Sequence, residues 1–132
     1  MADQNLDAVL DALIQALVHR DLAGTLACLS SRQEPAVLGS EAGELALGRN
    51  GVERFFRRIY ATPQPFRFDF PRRSWSVHGD VAWLTADGGV VEPAATDRKP
   101  YRLTAVFIFE DGAWRLALWS GSEPASPASR RD

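Results

Sequence analysis

Asp87 is the only carboxylate in the stretch VAWLTAD, Val81 to Asp87. A carboxylate turned into an aromatic cavity has its pKa raised by desolvation, which makes it a usable general base near neutral pH. On that reading Asp87 removes a proton adjacent to a carbonyl while the hydroxyl of Tyr60 or Tyr101 steadies the oxyanion. The competing reading makes Asp87-Gly88-Gly89 a turn at a strand end with a solvated carboxylate, and the two tyrosines packing residues with satisfied hydroxyls. Trp75, Trp83, Trp114 and Trp119 suit a pocket for a flat apolar molecule and equally suit core or dimer packing.

Other residue types point away from familiar chemistries. His19 and His78 fall at a helix C-terminus and beside a turn, where the helix dipole and solvent satisfy them. Neither has His, Cys or carboxylate partners at metal-ligand spacing, so neither a metal nor a cofactor is expected. Ser40, Ser120 and Ser122 lack a nucleophile-elbow setting, and the isolated Gly48-Arg49-Asn50-Gly51 reads as a turn and cap, not a phosphate loop. Glu44 and Arg49 flank the start of a helix and could pair there. Cys28, the only cysteine, sits beside Leu26 and Leu29 and reads as a buried thiol.

The elements that must position these groups follow from periodicity. Leu6, Val9, Leu10, Leu13, Ile14, Leu17 and Val18 recur at helical spacing, with Asp3 or Asn5 available as cap. Asp21 can cap a second, shorter helix carrying Leu22, Leu26 and Leu29. Short strands are expected at 36–39 and 44–47. Asn50 then caps a third helix with Val52, Phe55, Phe56, Ile59 and Tyr60 on one face, stopped by Thr62-Pro63-Gln64-Pro65. From Phe66 the period becomes two, with strands to 78, at 81–87, 90–92, 101–110 and 114–120, the last two joined by the hairpin signal Asp111-Gly112. Helices followed by hairpin-linked strands predict an α+β fold. The strand Tyr101 to Glu110 is apolar on both faces, so the sheet needs two covers: the helices on one side and, most simply, a second copy of the chain on the other.

At 132 residues with 45% hydrophobic content the chain fits one domain, assigned to residues 1–124, with 125–132 as a disordered tail. A formal charge of −2 from 15 basic and 17 acidic residues offers no footprint for nucleic acid or an anionic membrane. No apolar run is long enough to span a bilayer and the N-terminus lacks a signal-peptide pattern, so a cytoplasmic location is expected.

The phrases HRDLAG, GELALGRNGVERFF, VHGDVAWLTAD and RLTAVFIFEDGAWRLALWSGSEP together resemble the SnoaL-like branch of the nuclear transport factor 2-like superfamily over nearly all of the chain up to Pro124. The resemblance implies a cone: three N-terminal helices packed on a strongly curved, mainly antiparallel sheet. It does not select an activity, because such folds host isomerases, dehydratases, cyclases and non-catalytic subunits. Many relatives carry Trp-x-x-x-His-x-His-x-Ser in the last strand, where this chain has Leu118 and Ser120 at the histidine positions and keeps Ser122. The chain is also similar to the association domain of calcium/calmodulin-dependent protein kinases, whose pocket arginines align with Thr85, Ala105 and Gly121. That alignment implies that Trp83, Thr85 and Asp87, then Tyr101, Leu103, Ala105 and Phe107, point into the cone with Tyr60, and that Arg102, Thr104, Leu118 and Ser120 face the opposite side. The expected pocket is thus Tyr60, Trp83, Thr85, Asp87, Tyr101, Leu103, Phe107 and Trp119. Three functions remain open: a homodimeric binder of a small apolar molecule, a cofactor-independent isomerase, cyclase or dehydratase using Asp87, and a structural dimer with a filled core.

Overall fold

The computed structural model describes residues 6–62, 66–92 and 98–125. Helix α1 spans Leu6–Val18 and buries the predicted stripe, Leu6, Leu10, Leu13, Ile14 and Leu17. Its proposed caps, Asp3 and Asn5, lie outside the described residues, as do Pro63 to Pro65 and the tail from residue 126. Helix α2, Leu22–Ala27, is capped as expected: the Asp21 carboxylate accepts from the Gly24 N–H at 3.0 Å.

Helix α3, Gly48–Tyr60, starts two residues before the cap expected at Asn50. Gly48, at φ +75°, turns the chain directly from the preceding strand into the helix. The first-turn N–H groups find acceptors elsewhere: Gly48 donates to the Pro35 carbonyl at 2.8 Å and Arg49 to the Glu34 carboxylate at 3.4 Å. The Arg49 guanidinium reaches the Leu26 carbonyl at 3.0 Å, and Glu44 instead accepts from the Glu41 N–H at 3.0 Å, so no Glu44–Arg49 pair forms.

Six strands form one curved, unclosed sheet: β1 (Ala36–Leu38), β2 (Leu45–Leu47), β3 (Arg67–His78), β4 (Val81–Val91), β5 (Lys99–Glu110) and β6 (Ala113–Ser122). Their order is β2-β1-β6-β5-β4-β3; β1 runs parallel to β6 and the other pairs are antiparallel. Asp111 and Gly112 both take positive φ, +50° and +81°, as a tight hairpin turn requires. The Asp87-Gly88-Gly89 segment is no turn, because β4 runs straight through it. Gly88 stands where a Cβ would come within 1.9 Å of the Asp69 carbonyl oxygen, a close approach created by a bulge in β3 between Asp69 and Arg72. Pro71 occupies that bulge on an edge strand, where a missing N–H does least harm. A second irregularity in β6 makes Phe107 pair with Leu116 while Val106 pairs with Leu118.

The helices cover the concave face, where Leu84, Leu103, Ala105 and Phe107 are buried. The β5–β6 hairpin is tied to the segment after α2 by Glu110, which is 3% exposed. Its carboxylate accepts from the Ser30 hydroxyl at 2.7 Å and from the Ser31 N–H and hydroxyl at 2.7 and 3.0 Å. Burial acts to raise the pKa of Glu110, but the hydrogen bonds from Ser31 and Ser30 outweigh it and lower the pKa from 4.5 to about 2. A folded-state value below the unfolded one stabilises the fold above pH 4.5 and loses that contribution as pH falls towards 2. Glu110→Ala is expected to cost about 2 to 3 kcal/mol in urea unfolding at neutral pH. Glu110→Gln should flatten the loss of stability between pH 4.5 and 2, and an unchanged slope in acid titration of the melting temperature would count against this account.

Candidate functional site

Between the concave face and the helices lies a cavity of about 240 Å³. Its depth is apolar: Leu13 and Leu17 from α1, Phe55, Phe56 and Ile59 from α3, and Leu29, Val37, Phe68 and Leu116 between them. Phe68 packs against Tyr101 and Trp119 with ring centroids 4.8 and 5.2 Å apart. Ser40, Glu41, Glu44, Glu92, Lys99 and Glu123 supply the polar wall.

Strand pairing decides which predicted site residues reach this cavity. Directly opposed residues share a face of a sheet. Trp83 pairs with Val106, Thr85 with Thr104 and Asp87 with Arg102, whereas Leu84 pairs with Ala105 and Ala86 with Leu103. Trp83, Thr85 and Asp87 therefore lie on the outer face, and the inward alternation expected of them is corrected to Ala82, Leu84 and Ala86. Trp83 is 42% exposed. Asp87 pairs with Arg72 at 2.8 Å and Arg102 at 3.5 Å; the hydrogen bond from Arg72 is foremost among the influences that hold its carboxyl below the usual value. A solvated, doubly paired carboxylate is a poor base, and it stands outside the cavity in which the reaction was expected.

Tyr101 and Trp119 do line the cavity. Leu103 and Phe107 face inward but belong to the packed core beside it, Phe107 lying against Trp75 with centroids 5.5 Å apart. Tyr60 stands behind Thr25, which is fully buried and lines the cavity. The Thr25 hydroxyl donates to the Asp21 carbonyl at 2.8 Å, so the 2.7 Å contact between the two hydroxyls is the Tyr60 O–H donating to Thr25. That chain is closed, and burial pushes the Tyr60 phenol up to about 12.

Tyr101 differs. The Trp119 indole N–H, which can only donate, reaches the Tyr101 oxygen at 3.2 Å. The phenol's own proton has no acceptor among the described residues. Burial raises its pKa against the lowering effect of Trp119, and the carboxylates of Glu44 and Glu123 raise it further; the hydroxyl stays protonated. It can therefore donate to an oxygen held in the cavity. Gly121 makes room for it, since a Cβ there would fall 1.6 Å from the hydroxyl oxygen. Sequence reasoning missed Thr25, Phe68 and the glutamates; the period of α3 already marked Phe55, Phe56 and Ile59 as inward, but nothing in a loop's pattern marks a glutamate as a cavity wall. Among the described residues, no cluster of three His, Cys, Asp or Glu side chains is placed to hold a metal ion.

The family described as the SnoaL-like domain matches residues 6–126. Comparison with curated proteins yields no sequence match. Among solved structures, the chain is similar to an NTF2-like protein from Streptomyces avermitilis described as a candidate dehydratase, at 16% identity and TM-score 0.83, covering 93% of this chain and 96% of that one. A candidate calcium/calmodulin-dependent protein kinase type II association domain from Thiobacillus denitrificans aligns at 21% identity and TM-score 0.80, over 90% and 94% of the two chains. A candidate aromatic ring hydroxylase from Novosphingobium aromaticivorans aligns at 14% identity and TM-score 0.78, over 95% and 90%. At these identities the likeness concerns the fold.

Gly121→Ala forces its methyl group into the Tyr101 hydroxyl, and overpacking of this kind costs about 1 to 3 kcal/mol. The double variant Gly121→Ala with Tyr101→Leu is expected to be more stable than the sum of the two single losses. Additive losses in a thermal double-mutant cycle would show that the close approach is not what requires glycine.

Proposed function

We propose that this chain, which belongs to the SnoaL-like domain family, is a small-molecule-binding domain that holds its ligand between the helices and the concave face of the sheet, and that it works as a homodimer. The observation that carries this reading is the cavity itself: an apolar space of about 240 Å³ into which one hydroxyl, that of Tyr101, offers a free proton. Apolar concavities with few convergent polar groups are the usual form of ligand sites. Binding is favoured over catalysis because the groups around the depth of the cavity are poorly suited to take a proton from carbon. Tyr60 and Thr25 are committed to each other and to Asp21, and Asp87 is ion-paired on the other face. The dehydratase and hydroxylase descriptions of similar folds keep enzymes in view, but the carboxylates that line this cavity stand in its polar wall and not in its apolar depth.

Dimerisation is supported by the outer face of the sheet. Val81 and Trp83 are 37% and 42% exposed there, next to the half-buried Val106, Ile108 and Leu118. A contiguous apolar surface of this kind is unusual on a monomer, and a two-fold axis lets the same surface cover itself. The Arg72–Asp87–Arg102 cluster at its edge adds both signs of charge, as a self-complementary contact needs. One similar structure is described as an association domain.

Calorimetric titration with 2-naphthol, a flat neutral probe, is expected to give one site per chain. Ile59→Trp, which fills the cavity, should abolish binding, while Asp87→Asn should leave it unchanged; binding that survives in a folded Ile59→Trp protein would refute the site. Light scattering is expected to return a dimer mass for the wild type and a monomer mass for Trp83→Glu with helix and strand content intact. A wild-type monomer at low micromolar concentration would overturn the dimer.

A further inference from the structure

The polar wall of the cavity is lopsided in charge. It carries four carboxylates, Glu41, Glu44, Glu92 and Glu123, against one ammonium, Lys99. Lys99 is already engaged, 3.7 Å from Glu123, and Glu123 also accepts from the Ser40 hydroxyl. Glu44 is held by the Glu41 N–H at 3.0 Å, a contact that fixes its position without cancelling its charge. Among the described residues Glu41, Glu44 and Glu92 therefore have no cationic partner, and their negative charge borders the apolar space of the cavity.

A second observation is independent of these charges. Tyr101 is 4% exposed, lines the same cavity, and has accepted from Trp119 with its own proton left over. A buried donor gains from an accepting atom, and the cavity gives room for an occupant that brings one.

Resting on the binding reading above, we infer that the ligand is an apolar amine: a hydrophobic body in the cavity, an oxygen that accepts from Tyr101, and a protonated nitrogen held among Glu41, Glu44 and Glu92. A carboxylate of the same shape would gain the Tyr101 hydrogen bond but would meet three unpaired like charges. A neutral alcohol would gain the hydrogen bond and the burial alone. Selectivity is thus a difference between attraction and repulsion at one wall.

Three probes of matched shape separate these effects: 4-methoxyphenethylamine, 2-(4-methoxyphenyl)ethanol and 3-(4-methoxyphenyl)propionate, titrated into the full-length protein at pH 7 and low ionic strength. The amine is expected to bind tightest and the propionate weakest, at least about tenfold apart, with the gap narrowing in added salt. The variant carrying Glu41→Gln, Glu44→Gln and Glu92→Gln should shrink the amine-to-propionate ratio at least about fivefold. Binding of the alcohol with the propionate as tight as the amine would overturn the inference and leave the cavity as a neutral site. A preference for the amine that persists undiminished in the triple variant would overturn its assignment to these glutamates. Failure of all three probes to bind would remove the inference together with the reading on which it stands.

Discussion

Side chains alternate between the two faces of a strand, and a bulge exchanges the faces for everything that follows it. The cavity depends on two such exchanges. β3 sends Phe68 and Phe70 inward before its bulge and, after it, Trp75 opposite Leu84. β6 sends Trp114 and Leu116 inward, then, past the extra residue Ala117, Trp119 opposite Ala105. Were β6 regular, Leu118 and Ser120 would face the helices and Trp119 the outer surface. Tyr101 would lose the Trp119 N–H, and the aromatic contact with Phe68 would be broken. The sheet's bend and the composition of its concave wall thus share one cause.

Much of the architecture was legible because it is carried by long periodic segments. The stripe of α1, the face of α3, the Asp21 cap and the Asp111-Gly112 hairpin all appear where local pattern predicts them. The face of β4 was not legible, for a physical reason. Its inward residues near the centre are Ala82, Leu84 and Ala86, the two alanines leaving room for large core side chains such as Phe107, which pairs with Ala82. The bulkiest residue, Trp83, is on the outside, so judging the buried face by size or by alignment with distant relatives inverts it. Pairing with β5 resolves the matter, since Leu103 and Ala105 must share a face with Ala86 and Leu84. Gly88 and Gly89 misled in the same manner: glycines that read as a turn mark a close passage, at Gly88 under the Asp69 carbonyl. The start of α3 escaped because its first N–H groups are satisfied by Glu34 and Pro35, partners that no local motif around Asn50 contains.

Three buried polar systems show how far hydrogen bonding is completed within the fold. Glu110 is saturated by Ser30 and Ser31 and fixes a loop to a hairpin. Tyr60, Thr25 and the Asp21 carbonyl form a chain that ends on an acceptor, so each proton has a destination. The Trp119–Tyr101 pair is the exception, because the indole supplies a donor to a group that is itself a donor. Native interiors rarely leave such a group uncompensated, and the two complete systems show how this chain closes such groups elsewhere.

Electrostatics then fixes the protonation of the Tyr101 hydroxyl. Burial disfavours the phenolate at Tyr101, and the carboxylates of Glu44 and Glu123 disfavour it further, so the hydroxyl remains a donor through the physiological range. The same carboxylates cannot offer a partner to an anion. On the inferred reading, a hydrogen-bond donor inside and unpaired negative charge at the wall act together, setting an occupant's accepting atom on Tyr101 and its positive charge towards the glutamates. Asp87 performs no part of this, because the sheet that brings Tyr101 into the cavity turns Asp87, one residue beyond Ala86 opposite Leu103, out to Arg72 and Arg102.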